Sequence, residues 1–148
     1  MPHAGLMDES ALGPEKGPLQ RARLHIRGGR RRLKQGKIPE GIVTLYDALS
    51  AALEWYFASP ERRGRLAIKA SDNLRDERNL FEILVRSGIV EGSFDFGKFS
   101  RLIEALLYED AENFDHEMVL RQIESVMTQI GVMPFDESAL PKEDPSTF

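Results

Sequence analysis

The sequence predicts an all-α protein, and three observations support that fold class. Apolar residues recur at intervals of three and four along most of the 148 residues, as they do on the buried face of a helix. No segment of useful length alternates polar and apolar residues, and no Asn-Gly or Asp-Gly pair marks a β-hairpin. Proline, glycine and capping residues divide the periodic segments into helices. We therefore expect a four- to five-helix up-and-down bundle with flexible N- and C-terminal arms.

The segment from Pro39 to Phe57 predicts the central helix of this bundle. Pro39 suits the first helical turn, where the missing backbone N–H costs nothing. Apolar side chains cover most of the helix circumference, whereas the polar residues form one narrow stripe that includes Asp47 and Glu54. Several other elements must therefore cover this helix. Trp55 borders the polar stripe, where we expect it to be half exposed and able to join a dimer interface.

The bundle domain is predicted to span residues 18–133. Residues 1–17 contain two prolines and three glycines without a sustained period, which predicts a flexible N-terminal arm. Residues 134–148 contain three prolines and four acids, which predicts a loose acidic tail.

The other helices follow from their caps and breaks. The first is expected over residues 18–35, with a bend, a break or close packing against a neighbour at Gly28 and Gly29. The central helix should stop at Ser59, because the residue before a proline avoids the helical region. The remaining predicted helices run from Ser71 or Asp72 to Ser87, from a cap at Asp95, and from a cap at Asp115 to Gly131.

The net charge of −4 conceals a strong asymmetry along the chain. From Lys16 to Lys37 there are nine basic residues and no acid, whereas from Glu109 onward ten acids face only two bases. Such polarity indicates an interaction, either within the molecule or with a partner. We expect the basic helix to form a contact surface. Its candidate binding residues are Arg23, Arg27, Arg30, Arg31, Arg32 and Lys34.

Several partners fit a basic helix of this kind. Its arginines suit the phosphates of RNA or DNA, an anionic membrane surface or an acidic protein. They are equally able to lie against the acidic half of the same chain, or simply to face solvent. A protein partner or a homodimer is our first expectation, with nucleic acid as a further possibility.

Composition removes several classes of function. The chain has no run of about 20 apolar residues, so no membrane span is predicted. It has no cysteine, which excludes disulfides and thiolate sites. We expect a cytoplasmic location. No glycine loop suited to binding phosphates is present, and we expect no cofactor.

Asp47 and Glu54 are the candidates for a buried polar site, because they lie seven residues apart on one helical face. A carboxylate-bridged metal centre requires Glu-x-x-His pairs on facing helices, and the sequence has none. We therefore predict no metal site, and expect the two acids to pair with arginines of the first helix or to face water. His25 and His116 are expected at the surface, and no catalytic residue is predicted.

From Arg32 to Phe57 the chain reads RLKQGKIPEGIVTLYDALSAALEWYF. This segment resembles the opening helix pair of HEPN-type bundles. In those bundles a basic helix ends in Leu-x-x-Gly and is followed by a long helix rich in alanine and aromatics. The later segment LVRSGIV, from Leu84 to Val90, fits the same plan. The resemblance implies a four- or five-helix up-and-down bundle, often dimeric. It also implies an RNA-cleaving toxin or a non-catalytic partner of a nucleotidyltransferase.

The catalytic signature of HEPN proteins is an arginine followed, after four to six residues, by a histidine. In this chain three residues separate Arg21 from His25, and the segment RDERNL that begins at Arg75 has no histidine. The resemblance therefore implies the HEPN fold without the nuclease activity.

The sequence favours a non-enzymatic helical interaction or regulatory module that self-associates and uses its basic first helix as the contact surface. The alternative is a HEPN-like nucleic-acid-associated protein of the toxin–antitoxin type, and a third reading is an enzyme with a polar site around Asp47 and Glu54. Two structural features discriminate among them. Arginines covered by the protein's own acids favour a purely structural role, and a bare basic face favours a partner. A polar pocket reached from solvent at Asp47 favours an enzyme.

Overall fold

The structure is a computed structural model that describes residues 9–108 and 113–147, and within these ranges the chain is all-α, as predicted. This part of the chain contains six α-helices and two short 3₁₀ helices, and no strand. The α-helices are α1 (Glu9–Lys34), α2 (Ile38–Ala58), α3 (Pro60–Arg63), α4 (Glu77–Arg86), α5 (Phe96–Tyr108) and α6 (His116–Ile130). The 3₁₀ helices are Glu137–Ala139 and Pro145–Thr147.

The helix predicted to be central, α2, contacts each of the other five α-helices described. Its most extensive contact is with α1, and α6, α5, α4 and the short α3 cover further parts of its surface. The helix ends where Ser59 adopts an extended conformation ahead of Pro60. Its fully buried large side chains are Ile42, Leu45, Leu49 and Leu53.

The first helix begins earlier than the sequence analysis predicted. Residues 9–17, expected to be part of a flexible arm, are helical, while the rest of that arm, residues 1–8, lies outside the described residues. Gly13 has the non-helical angles φ 89° and ψ 178°, so two helical segments meet there at a kink. Pro14 directly follows the kink, at the start of the second segment, where a proline is tolerated.

The two helices of the α1–α2 pair touch through their backbones at Gly29 and Gly41. A Cβ atom on Gly29 would lie 3.3 Å from the carbonyl oxygen of Gly41, and a Cβ atom on Gly41 would lie 3.2 Å from the carbonyl oxygen of Gly29. α1 continues through Gly28 and Gly29 without a break. A bend, a break or close packing was expected at Gly28 and Gly29, and the structure shows close packing at Gly29.

The third predicted helix begins later than expected, at Glu77. Asp76 caps it by accepting a hydrogen bond from the backbone N–H of Arg78 at 3.1 Å. Asp72, one of the two predicted caps, instead accepts hydrogen bonds from the Lys69 backbone at 2.6 Å and from the Arg86 guanidinium at 2.9 and 3.1 Å. This anchor holds the chain before α4 in an irregular loop.

The caps of the last two helices are confirmed. Asp95 accepts a hydrogen bond from the Lys98 backbone at 2.9 Å, and Asp115 accepts one from the Met118 backbone at 3.0 Å. Gly131 ends α6 with φ 105°, a left-handed conformation that favours glycine.

The segment after α6, which the sequence analysis expected to be a loose tail, lies against α1. Val132 is completely buried, and its carbonyl oxygen accepts a hydrogen bond from Arg23 Nε at 3.1 Å. The Arg23 guanidinium also lies 5.5 Å from the centre of the Phe135 ring. Residues 134–148, which were expected to be the loose tail, contact α1 through Phe135, Glu137 and Glu143. The Arg31–Glu143 contact joins residues 112 positions apart, which local sequence patterns do not reveal.

Replacing Gly29 with alanine should destabilise the fold. The added Cβ would lie 2.8 Å from Leu45 Cδ2 as well as against the α2 backbone, so the helices would have to separate. We expect the free energy of unfolding to fall by about 1–2 kcal/mol despite the better helix propensity of alanine. Chemical denaturation measures the change. Gly92→Ala is the control, because its Cβ would meet only Val85 Cγ1, at 3.6 Å; equal stability of the two variants would contradict this account of the α1–α2 contact.

The Asp72 anchor should make stability depend on pH at the acid end. The hydrogen bonds from Arg86 and from the Lys69 backbone lower the pKa of Asp72 from 3.8 to about 2. Its contribution to stability is therefore complete above its ordinary pKa and is lost as the pH falls through the folded-state value. Asp72→Asn should lower the melting temperature at pH 5, and thermal unfolding by circular dichroism should show this difference shrinking towards pH 2. A difference that is constant with pH would contradict the prediction.

Candidate functional site

Two features of the structure are candidates for a functional site. The first is the arginine face, the surface of α1 formed by Arg23, Arg27, Arg30, Arg31 and Arg32. The second is an open cleft between α1, α2 and the start of α4, which we call the Asp47 cleft.

At the arginine face, Arg30 binds two acids of the same chain. Its guanidinium donates to the carboxylate of Glu124, on α6, and its Nη1 lies 3.2 Å from Oε1 of Glu137, in the C-terminal segment. The three side chains are partly exposed, with 27%, 28% and 50% of their areas accessible. The cation is therefore neutralised by the protein itself.

Arg27 and Arg31, one helical turn apart, share a single carboxylate. Arg31 Nε lies 3.1 Å from both oxygens of Glu143, and Arg27 Nε lies 3.9 Å from one of them. The two arginine side chains are only 13% exposed and the glutamate 16%, so water screens this contact less than it screens a surface ion pair. The Nε and Nη2 atoms of Arg27 are buried and form no hydrogen bond with the described residues.

The remaining candidates on α1 have different surroundings. Arg32 donates to Thr44 Oγ1 at 2.9 Å, and burial, with the neighbouring Arg31 charge, lowers the pKa of Arg32. Burial also lowers the pKa of Arg23, which binds the C-terminal segment as described above. Lys34 is exposed. The structure thus brings the arginines, but not the lysine, into contact with other parts of the chain.

The Asp47 cleft has a volume of about 670 Å³ and opens to solvent. Its apolar wall includes Phe57, Leu74 and Leu80. The size falls within the range of small-molecule sites, about 300–1,000 Å³. Seven polar or charged residues also line it: Arg21, His25, Asp47, Ser50, Glu54, Arg75 and Glu77.

Both acids predicted to form a buried polar site lie in this cleft, but both are exposed, which corrects that expectation. The polar stripe of α2 remains open because the chain ahead of α4 is an irregular loop and does not cover it. Glu54 forms an ion pair with Arg21 of α1, the type of partner that the sequence analysis expected. Partial burial raises the pKa of Asp47, repulsion from Glu77 adds to the increase, and Arg21 opposes it.

Glu77 is a site residue that the sequence analysis missed. Its Oε2 atom accepts hydrogen bonds from the Tyr46 hydroxyl at 2.8 Å and from Ser50 Oγ at 2.9 Å. Burial and this bond raise the pKa of Tyr46 to about 12, so the hydroxyl stays protonated and donates. The four-residue spacing of Tyr46 and Ser50 on α2 was the only available signal, because their acceptor lies about 30 residues further along the chain.

His25 was expected at the surface but is only 2% exposed, on the side of α1 that faces α2. Arg21 lies one turn before it, and both line the Asp47 cleft. The cleft therefore combines an imidazole, guanidinium groups and three carboxylates. This set of groups is able to bind polar or charged small molecules and to exchange protons with them.

Trp55 is partly buried, as expected at the edge of the polar stripe. The guanidinium of Arg62 stacks on its ring, 3.9 Å from the centre, and donates to the Trp55 carbonyl oxygen at 2.6 Å. The expected role of Trp55 in a dimer interface stays a prediction.

In residues 9–108 and 113–147, no group of three or more His, Asp or Glu side chains is arranged to hold a metal ion. Within the same part of the chain, no helix combines the length and the apolar character needed to cross a bilayer.

Asp47→Asn should stabilise the protein at neutral pH. The pKa of Asp47 is higher in the folded state than in the unfolded state, so the ionised carboxylate lowers the stability of the fold. This loss of stability is complete above the folded-state pKa and disappears below the ordinary value of 3.8. We expect a higher melting temperature for the variant at pH 7 and no difference near pH 3, measured by thermal unfolding. Glu54→Gln, which loses the ion pair with Arg21, is the control and should give no gain; a lower melting temperature for Asp47→Asn at pH 7 would contradict the prediction.

Comparison with protein-family models, with curated proteins and with solved structures finds no match to this chain.

Proposed function

We propose that this protein is a helical regulatory module, non-enzymatic although the cleft at Asp47 is open to solvent, whose arginine face binds an acidic polypeptide segment in place of the chain's own acids. In the structure, the chain's own C-terminal segment occupies that face. The observation that carries the proposal is the position of Glu143, which reaches Arg31 across 112 residues of sequence and also lies beside Arg27. An acidic segment of a partner would make the same contacts.

The strength of these contacts suits an exchangeable segment. The Arg30–Glu137 ion pair, whose glutamate is half exposed, contributes about 0–1 kcal/mol. The Arg31–Glu143 contact is more buried, and the cost of desolvating its charges offsets much of their attraction, so the two contacts hold the segment only moderately. Apolar contacts beyond the buried Val132 are limited to partly buried side chains such as Phe135 and Leu140. Tethering gives the segment a high local concentration, which a partner must overcome with additional acids or greater abundance.

Charge distribution favours a polypeptide partner over a nucleic acid. Glu124 is part of α6 and forms an ion pair with Arg30, so this carboxylate stays within the arginine face when the C-terminal segment leaves. A phosphate backbone would meet that charge, whereas separate carboxylates on a peptide are able to reach Arg27 and Arg31 individually.

Self-association belongs to the same proposal, because a second copy carries an identical acidic segment. Reciprocal exchange of the C-terminal segments would give a two-fold symmetric homodimer with the same ion pairs formed between copies. The proposal also includes an up-and-down bundle of the five longer helices, supported by the contacts of α2 with all the others.

A HEPN-like nucleic-acid-associated function is the second candidate. One observation favours it: Arg21 and His25, the pair that comes nearest to the HEPN signature, line the same cleft. The candidate ranks second because the spacing is shorter than in that signature and because Arg21 is paired with Glu54.

The test uses the full chain and a labelled peptide with the sequence of residues 136–147, DESALPKEDPST. The double variant Glu137→Gln with Glu143→Gln weakens the chain's own segment and leaves the arginines in place. We expect it to bind the peptide about five- to tenfold more tightly than the unmodified chain does, because two ion pairs of the competitor are lost. Fluorescence anisotropy measures both affinities, and binding should weaken with salt.

Glu61→Gln is the matched control, because Glu61 pairs with Arg65 on the short α3 and does not contact the arginine face. It should bind the peptide as weakly as the unmodified chain. Equal affinities of the double variant and this control would refute the proposal. Retention of an RNA oligonucleotide by the double variant, without peptide binding, would favour the second candidate instead.

A further inference from the structure

We infer that the Asp47 cleft binds a small zwitterion of the α-amino acid class that carries an apolar side chain. This site is separate from the arginine face, and the inference does not depend on the proposed function. The inference follows from the wall of the cleft, which holds acidic and basic groups that do not pair with one another and apolar side chains that are partly exposed.

The acidic part of the wall is formed by Asp47 and Glu77. Both hydrogen bonds to Glu77 reach Oε2, and no described residue donates a hydrogen bond to its Oε1. Asp47 forms no hydrogen bond or ion pair within the described ranges. Because Tyr46 and Ser50 fix the Glu77 carboxylate, its second oxygen is held ready for a donor. An ammonium group between the two acids would relieve their mutual repulsion.

The basic part of the wall is formed by Arg75, on the loop before α4. Its guanidinium forms no ion pair with any residue that the structure describes, although Asp47 and Glu77 line the same cleft. The positive charge of Arg75 and the negative charges of Asp47 and Glu77 thus line the same opening without forming an ion pair within 4 Å. A ligand with an ammonium at one end and a carboxylate at the other is able to bridge them, whereas a simple cation would also meet the charge of Arg75.

The apolar part of the wall selects the side chain of the ligand. Phe57, Leu74 and Leu80 line the cleft, and 37% of Leu74 is exposed there. Covering this surface with an apolar side chain removes it from water and adds affinity in proportion to the area buried. The cleft volume of about 670 Å³ accommodates an aromatic amino acid.

Three related probes separate the contributions of the two charges. L-phenylalanine carries both, 2-phenylethylamine carries only the ammonium, and 3-phenylpropionate carries only the carboxylate. We expect the full-length protein to bind L-phenylalanine at least about fivefold more tightly than either of the others, because only the zwitterion satisfies both parts of the wall. Titrations followed by amide chemical shifts measure the three affinities and locate the site.

Two variants test the assignment of each charge. Glu77→Gln should weaken L-phenylalanine and 2-phenylethylamine by about fivefold or more and leave 3-phenylpropionate unchanged, and Arg75→Gln should weaken L-phenylalanine and 3-phenylpropionate instead. If Glu77→Gln does not fold, Asp47→Asn replaces it. Arg63→Gln is the control, because Arg63 is exposed on α3 and does not line the cleft; its affinities should match those of the unmodified chain.

The inference is overturned by any of three results. One is no shift of the cleft resonances with L-phenylalanine up to about 10 mM, which corresponds to binding weaker than about 3 kcal/mol. Another is equal affinity for L-phenylalanine and 2-phenylethylamine, which would assign the cleft to simple cations. The last is an identical loss of affinity for all three probes in both variants, which would mean that the variants act by disturbing the fold.

Discussion

The close contact between Gly29 and Gly41 sets the geometry of the α1–α2 pair, the most extensive helix contact in the described residues. With no side chain on either residue, the backbones of α1 and α2 approach until each glycine lies against the other's carbonyl oxygen. Leu33 and Leu45 then pack directly over these glycines. This close approach fixes the rotation of α1 about its axis. Its inner side then faces α2, and Arg27, Arg30 and Arg31 are directed towards α6 and the C-terminal segment.

That fixed rotation explains how an intensely basic helix is accommodated. The acids that neutralise it come from α6, through Glu124, and from the C-terminal segment, through Glu137 and Glu143. The charge asymmetry of the sequence is thus met within one molecule. Arg27 and Arg31 both lie beside the Glu143 carboxylate, and the proposed exchange would replace this contact with one from a more acidic segment.

The Asp47 cleft exists because the cover of α2 is incomplete on its polar side. The Asp72–Arg86 anchor holds the chain in an irregular loop, so α4 starts only at Glu77. An opening remains above the polar stripe, bordered by charges from three parts of the chain. The anchor therefore leaves an open cleft where a longer α4 would lie over the polar stripe.

The structural features that depend only on neighbouring residues could be predicted from the sequence. Helical periods, the caps at Asp95 and Asp115 and the left-handed Gly131 all depend on groups within a few positions, so the all-α class and most helix ends followed from local patterns. Only the tertiary structure decided which charges meet. The burial of His25 and the placement of Glu143 depend on contacts between segments far apart in the chain, and charge-pair energies fall with spatial distance, which sequence spacing does not specify.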